Sequence, residues 1–123
     1  MVKRLVPTEA EEQRALFEWA EWAKAKHPQL RWMHHIPNGG SRNPIEARHL
    51  KEQGVKAGVP DIFLPTPNAI HMGLFIEMKR RKGGKVSKEQ SMWIHELNKA
   101  GYRAVFCKGW EEARDEILKY LSI

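Results

Sequence analysis

Two runs of strand-forming residues, Pro60 to Leu64 and Met72 to Lys79, flank the stretch Pro65-Thr66-Pro67-Asn68. Proline presets φ and asparagine bonds its own backbone, so this stretch is a turn and the runs form an antiparallel hairpin. With Asp61 opposite Glu77, the register centres on Ala69, within the Pro65 to His71 stretch that favours the turn. Directly opposed residues hold their Cβ atoms about 4.5–5.5 Å apart, which brings two carboxylates side by side. Side chains alternate along a strand. Glu77 and Lys79 therefore share a face with Asp61, while Leu74, Ile76 and Met78 point to the other.

The flanking sequence builds the rest of an α/β domain. Thr8-Glu9-Ala10-Glu11 is a capping box opening a helix that runs to about Lys26, with Leu16, Trp19, Ala20 and Ala23 inward. Glu12 precedes Leu16 by four and falls on the same face, where an acid needs a reason. Leu30 to Ile36 reads as a strand ended by Pro37-Asn38-Gly39-Gly40, and Asn43-Pro44 opens a short helix closing at Gly54. Lys82-Gly83-Gly84-Lys85 is a basic loop, and Ser87-Lys88-Glu89-Gln90 is a second capping box. The helix it opens has Trp93, Leu97 and Ala100 on one face and ends at Gly101. Tyr102 to Cys107 is a strand, and Trp110 to Leu121 a helix with Trp110, Ala113, Ile117 and Tyr120 inward. The order α-β-α-β-β-α-β-α predicts an α/β sandwich with a mixed sheet in one domain spanning residues 1–123.

Charge points to a polyanion. The formal balance is +6, with six bases and no acid from Lys79 to Lys88, and five bases against two acids from Arg31 to Lys56. Both ends are acidic: five acids to two bases from Glu9 to Lys24, four to one from Glu111 to Glu116. A positive middle facing acidic ends suits nucleic acid. The single cysteine, Cys107, excludes an internal disulfide and a cysteine-rich zinc module. His34, His35, His49 and His71 match no zinc spacing either. No stretch is suited to span a membrane and the start is too short for a signal peptide, so a cytoplasmic protein is expected.

Two adjacent carboxylates repel unless they share a proton or bind a cation. A hard divalent ion held by Asp61 and Glu77 resolves the conflict. Glu12 is the third carboxylate favoured by periodicity. Lys79 is placed to steer or activate a water or to hold a phosphate oxygen. A phosphodiester is the substrate that fits.

The ordered set Thr8-Glu-Ala-Glu-Glu-Gln13, Ile36-Pro-Asn-Gly-Gly40, Gly54-Val-Lys-Ala-Gly-Val-Pro-Asp61, Gly73-Leu-Phe-Ile-Glu-Met-Lys-Arg80, Ser87-Lys-Glu-Gln90 with Trp93, and Gly101-Tyr102 resembles the VRR-NUC family of the PD-(D/E)xK nuclease superfamily. The resemblance implies a restriction-endonuclease-like α-β-α sandwich that cleaves DNA with Mg²⁺ or Mn²⁺. It implies Asp61, Glu77 and the Met78 carbonyl as metal ligands and Lys79 as the catalytic lysine, and it matches Gln90 to a family glutamine. Glu12 is preferred as the acid from the first helix, with Glu9 as the alternative. Small members of the family look like homodimers that cut branched DNA such as four-way (Holliday) junctions. The family's viral association points to a phage or prophage source.

Asn38, Arg42, Lys56, Arg80, Arg81, Lys82, Lys85 and Lys88 are the expected DNA contacts. Trp19, Trp93 and Trp110 belong to helix faces, whereas Trp22 and Trp32 suit a dimer seam or base stacking. Two other functions share these features. One is a less selective or restriction-type nuclease; the other is a non-catalytic DNA-binding module, against which the intact acids argue, since a pure binder gains nothing from acids facing phosphates.

Overall fold

Thr8 caps the first helix. Its hydroxyl accepts from the Glu11 backbone N–H at 3.1 Å, and its own N–H donates to the Glu11 carboxylate at 2.9 Å. Two amides left over at the helix start are thereby satisfied. The computed structural model describes residues 5–38 and 43–123. From this start the chain forms α1 (Glu9–Ala23), a 3-10 turn (Pro28–Trp32), β1 (His34–His35) and α2 (Pro44–Glu52). It continues through β2 (Ile62–Leu64), β3 (Leu74–Lys79), α3 (Lys88–Lys99), β4 (Arg103–Lys108) and α4 (Trp110–Leu121).

The order of helices and strands is the one the sequence predicts, with one correction. The strand expected over Leu30 to Ile36 is reduced to His34–His35, because its first half is the 3-10 turn. Pro28 starts that turn with a fixed φ and no N–H to satisfy, and Leu30 is buried beneath it.

The sheet runs β1-β2-β3-β4, antiparallel across its first two junctions and parallel between β3 and β4. Ile62 pairs with Ile76, Phe63 with Phe75 and Leu64 with Leu74. Continued by one residue, this register sets Asp61 opposite Glu77, as the turn chemistry predicts. The parallel strand is reached through α3, and the result is a mixed sheet flanked by helices, the α/β sandwich that the element order predicts.

One face carries the core. Ile62, Leu64, Leu74, Ile76, Met78 and Cys107 of the sheet cluster with Leu16, Ala20 and Ala23 of α1 and with Ala113, Ile117 and Tyr120 of α4. Each fully buried Leu, Ile or Met there contributes about 1.5–3 kcal/mol from burial alone. Burial pushes the Cys107 thiol up to about 12, so it is an inert packing group.

The other face is held differently. Phe63 stacks on Phe75 with centroids 4.3 Å apart, and Tyr102 meets Phe75 edge-on at 5.2 Å. Over β4 lies α3, none of whose residues is fully buried; the face predicted for it is only half-covered at Trp93 and Leu97, and Ala100 is exposed. Polar anchors do the holding instead. The Asn98 side chain takes both the N–H and the C=O of Ala104, at 3.1 and 2.9 Å, and Trp93 Nε1 donates to Ala57 O at 3.1 Å. Gly58 makes that approach feasible: at φ 88° it lies so close that a Cβ would stand 2.6 Å from the Glu89 carbonyl carbon. The loop before β2 is thus pressed onto the start of α3. Among the described residues no helix is long and apolar enough to cross a membrane.

Candidate active site

Three carboxylates converge at the end of the hairpin. Glu9 in the first turn of α1, Asp61 just before β2 and Glu77 in β3 each offer an oxygen, and these oxygens lie within 4.8 Å of one another. Asp61 is fixed by the hairpin itself, its Oδ2 accepting from the Met78 backbone N–H at 2.8 Å. Its carbonyl accepts from the Ile36 N–H at 2.7 Å, tying the site to the chain that follows β1.

Glu77 is 2% exposed, and only one of its oxygens is occupied: Oε2 accepts from Gln90 Nε2 at 3.1 Å, while Oε1 is buried with no partner. Burial, then the neighbouring Asp61 charge, push its carboxyl up to about 8, more than Lys79 can offset. A buried acceptor without a donor is costly. An all-oxygen donor set with one oxygen vacant fits a hard divalent cation such as Mg²⁺ or Mn²⁺.

Lys79 is 5% exposed on the same strand face. Its Nζ donates to Lys85 O at 2.6 Å and to Gln90 Oε1 at 2.8 Å, and lies 3.9 Å from Glu77 Oε2. Gln90 therefore serves two ends at once. It closes the α3 capping box, its Oε1 accepting from the Ser87 N–H at 3.0 Å, and it bridges Lys79 to Glu77. Met78, fully buried between the two site residues, gives its amide to Asp61.

Glu12, the acid preferred from periodicity, does not join the trio; Glu9 does. Glu12 does face inward at 2% exposure, but what it meets there is Arg81. Arg81 Nε donates to Oε2 at 2.7 Å and Nη2 to Oε1 at 2.9 Å, and the Trp110 N–H donates to Oε1 at 3.2 Å. The Arg81 hydrogen bonds hold the Glu12 carboxyl below its ordinary value despite burial. The apolar period marked Glu12 as inward but carried no word of a cation arriving from 69 residues away.

The expected DNA contacts divide. Lys56, Lys82, Lys85 and Lys88 are exposed. Arg81 is committed to Glu12 and, through Nη2 at 2.8 Å, to Glu111; Arg80 donates to the carbonyls of Val6 and Pro7. Both guanidinium groups therefore have protein acceptors, although Arg81 stays 42% exposed. Asn38 Nδ2 donates to Val59 O at 2.6 Å, bracing the loop ahead of Asp61. Arg42 lies outside the described residues. Trp22 and Trp32 are 82% and 62% exposed, with Arg31 over the Trp32 ring at 5.2 Å.

The VRR-NUC domain family matches residues 4–111. A solved structure described as a VRR_NUC domain protein superposes with a TM-score of 0.83 at 31% identity, over 96% of this chain and 91% of that chain. No curated protein matches the sequence. A fold, a carboxylate cluster on its hairpin and a match over most of the length agree: the chain belongs to the VRR-NUC family of nucleases.

Proposed function

We propose that the chain, as one nuclease domain over residues 1–123, is a Mg²⁺- or Mn²⁺-dependent DNA endonuclease acting as a homodimer on branched DNA such as four-way junctions. One observation carries the metal-dependent reading: three carboxylate oxygens within 4.8 Å of one another, with the buried Glu77 Oε1 lacking any partner. Asp61, Glu77 and Glu9 would hold the ion, with the Met78 carbonyl, one residue from Glu77, as the further ligand implied by the resemblance. When bound, such an ion polarises a phosphate oxygen and lowers the pKa of a coordinated water.

The protein's own groups do the rest. Lys79 is aimed by Lys85 O and Gln90 Oε1, so its Nζ sits at the edge of the carboxylates, placed to stabilise charge growing on the scissile phosphate or to orient the attacking water. Gln90 keeps Glu77 and Lys79 in fixed relation. Exposed Lys56, Lys82, Lys85 and Lys88 would hold flanking phosphates, which makes binding salt-dependent. Two-fold symmetric incision of a junction requires two such sites related by a two-fold axis, which a homodimer supplies.

The test is a panel of labelled duplex, flap, single-stranded and four-way DNA incubated with Mg²⁺, Mn²⁺ or chelator, beside a native mass measurement. Metal-dependent paired nicks in the junction and a mass of twice 14.3 kDa are expected. Equal cutting of every substrate would replace selectivity with the less selective or restriction-type nuclease. Binding without cutting under any metal would leave only the non-catalytic module.

A further inference from the structure

Arg80 and Arg81 leave β3 directly after Lys79, and they reach back to the chain on opposite sides of Glu9, Arg80 to the segment leading into α1 and Arg81 to α1 itself. Upstream, Arg80 donates from Nε to Pro7 O at 3.3 Å and from Nη2 to Val6 O at 3.2 Å. Downstream, Arg81 grips Glu12 in a two-toothed pair at 2.7 and 2.9 Å. Glu12 is one helical turn beyond Glu9, on the same side of α1. The far end of this grip is also fixed. Arg81 Nη2 reaches Glu111 at 2.8 Å, and the Gly109 N–H donates to Lys79 O at 3.0 Å. Gly109 has φ 85°, a conformation that favours glycine, and its missing side chain leaves the Arg81 guanidinium lying close against this turn.

We propose that Arg80 and Arg81 are positioning residues that bracket Glu9 and hold its carboxylate against Asp61 and Glu77. The inference rests on the metal-site reading above. Its physical need is plain. Glu9 sits in the first turn of a helix, where ends fray, and three carboxylates gathered together repel. The Thr8 capping box closes the first turn of α1, and anchorage at residues 6, 7 and 12 fixes where that turn lies against the sheet before an ion arrives. Groups that orient metal ligands in this way typically change metal affinity 10–100-fold (roughly) when altered.

The decisive variants are Arg80→Lys, Arg81→Lys and the double substitution, which keep charge but lose the planar fork. Mn²⁺ titrations of the whole chain by calorimetry are run in the wild-type and Glu9→Gln backgrounds, with DNA binding measured in chelator. The double variant is expected to bind Mn²⁺ about tenfold more weakly. That loss is expected to vanish in the Glu9→Gln background, and metal-free DNA affinity to stay at the wild-type level. Unchanged Mn²⁺ affinity with a lowered melting temperature would overturn the proposal in favour of a scaffold role. Unchanged Mn²⁺ affinity with weakened DNA binding would make the arginines DNA contacts, and a loss that persists without Glu9 would sink the bracket equally. Should the double variant fail to fold, each single variant carries the same comparison. If wild type takes up no more Mn²⁺ than Asp61→Asn, the metal-site reading itself fails, a result distinct from all of these.

Discussion

Glu12 and Glu77 are equally hidden, each 2% exposed, yet they sit in opposite kinds of surroundings. Around Glu12, at the meeting of α1, the end of β3 and the start of α4, both oxygens are occupied and a guanidinium supplies the countercharge. Around Glu77, at the hairpin, one oxygen has no partner, two further carboxylates crowd in, and the carboxyl is pushed up to about 8. A buried acid with both oxygens answered is a joint. One left short, beside other acids, is a place for a ligand. Burial alone does not distinguish them; satisfaction does.

The hardest way to break this contrast is to remove an acid from each region. Asp61→Ala or Glu77→Ala is expected to abolish metal-dependent cleavage, a loss of about 10³-fold or more. DNA binding in chelator should persist, as gel shifts would register. Glu12→Gln should leave cleavage detectable, because that carboxylate is bound to Arg81 and the Trp110 N–H and lies outside the carboxylate trio. If Glu12→Gln were as dead as Asp61→Ala, the division between joint and site would be false. Lys79→Ala comes next, with turnover expected to fall about 10²-fold while Mn²⁺ still binds. Loss of Mn²⁺ binding in that variant would make Lys79 a scaffold for the ligands rather than a participant.

Stability should sort the two regions the other way. Arg81→Ala strands Glu12 as a buried acid without its cation and is expected to lower the melting temperature by several degrees. Glu77→Gln, by contrast, should raise or leave unchanged the melting temperature of the metal-free protein, since an amide needs no proton to stay neutral where burial and Asp61 disfavour charge. Denaturant melts in chelator separate the signs. A destabilised Glu77→Gln would mean that its missing partner is made good by something other than an ion.

Much of the hairpin was legible because its determinants are local. Asn68 closes the turn, its Oδ1 accepting from the Ile70 and His71 N–H groups, so the bend lies at Ala69 and Ile70, just after the Pro65 to Asn68 stretch expected to make it, and the register puts Asp61 opposite Glu77. Both capping boxes read directly from four residues each. The strand expected from Leu30 failed because Pro28 favoured a 3-10 turn over a pattern that periodicity alone reads as extended. Choosing Glu12 over Glu9 failed for a different reason. Periodicity reports which side a residue faces, and both acids lie on one side of α1; what waits there is a tertiary fact, since Arg81 is 69 residues away in sequence. One signal was present. An inward acid on a helix with no inward base requires a cation from elsewhere, and the run after Lys79 held candidates.

The smallest effect, and the sharpest on the contrast, is in pH. Glu77 holds its proton in the folded, metal-free protein up to about 8, against an ordinary 4.5. Its contribution to stability is therefore fully present below about 4.5 and is lost as pH rises through about 8, because the unfolded chain releases that proton first. Glu12, lowered by Arg81, acts in reverse: its contribution stands above 4.5 and is lost as pH falls below that value. Glu77→Gln should accordingly flatten the alkaline side of a melting-temperature profile in chelator, and Glu12→Gln the acid side, each by a few degrees. The same proton links pH to metal. An ion needs the ionised Glu77, so at pH 7 Mn²⁺ binding should release close to one proton and tighten with rising pH up to about 8. Calorimetry in two buffers of different ionisation enthalpy counts that proton directly. If none is released, Glu77 is already ionised beside Lys79, and the unpartnered oxygen at the hairpin is held by charge from the lysine rather than left waiting for a cation.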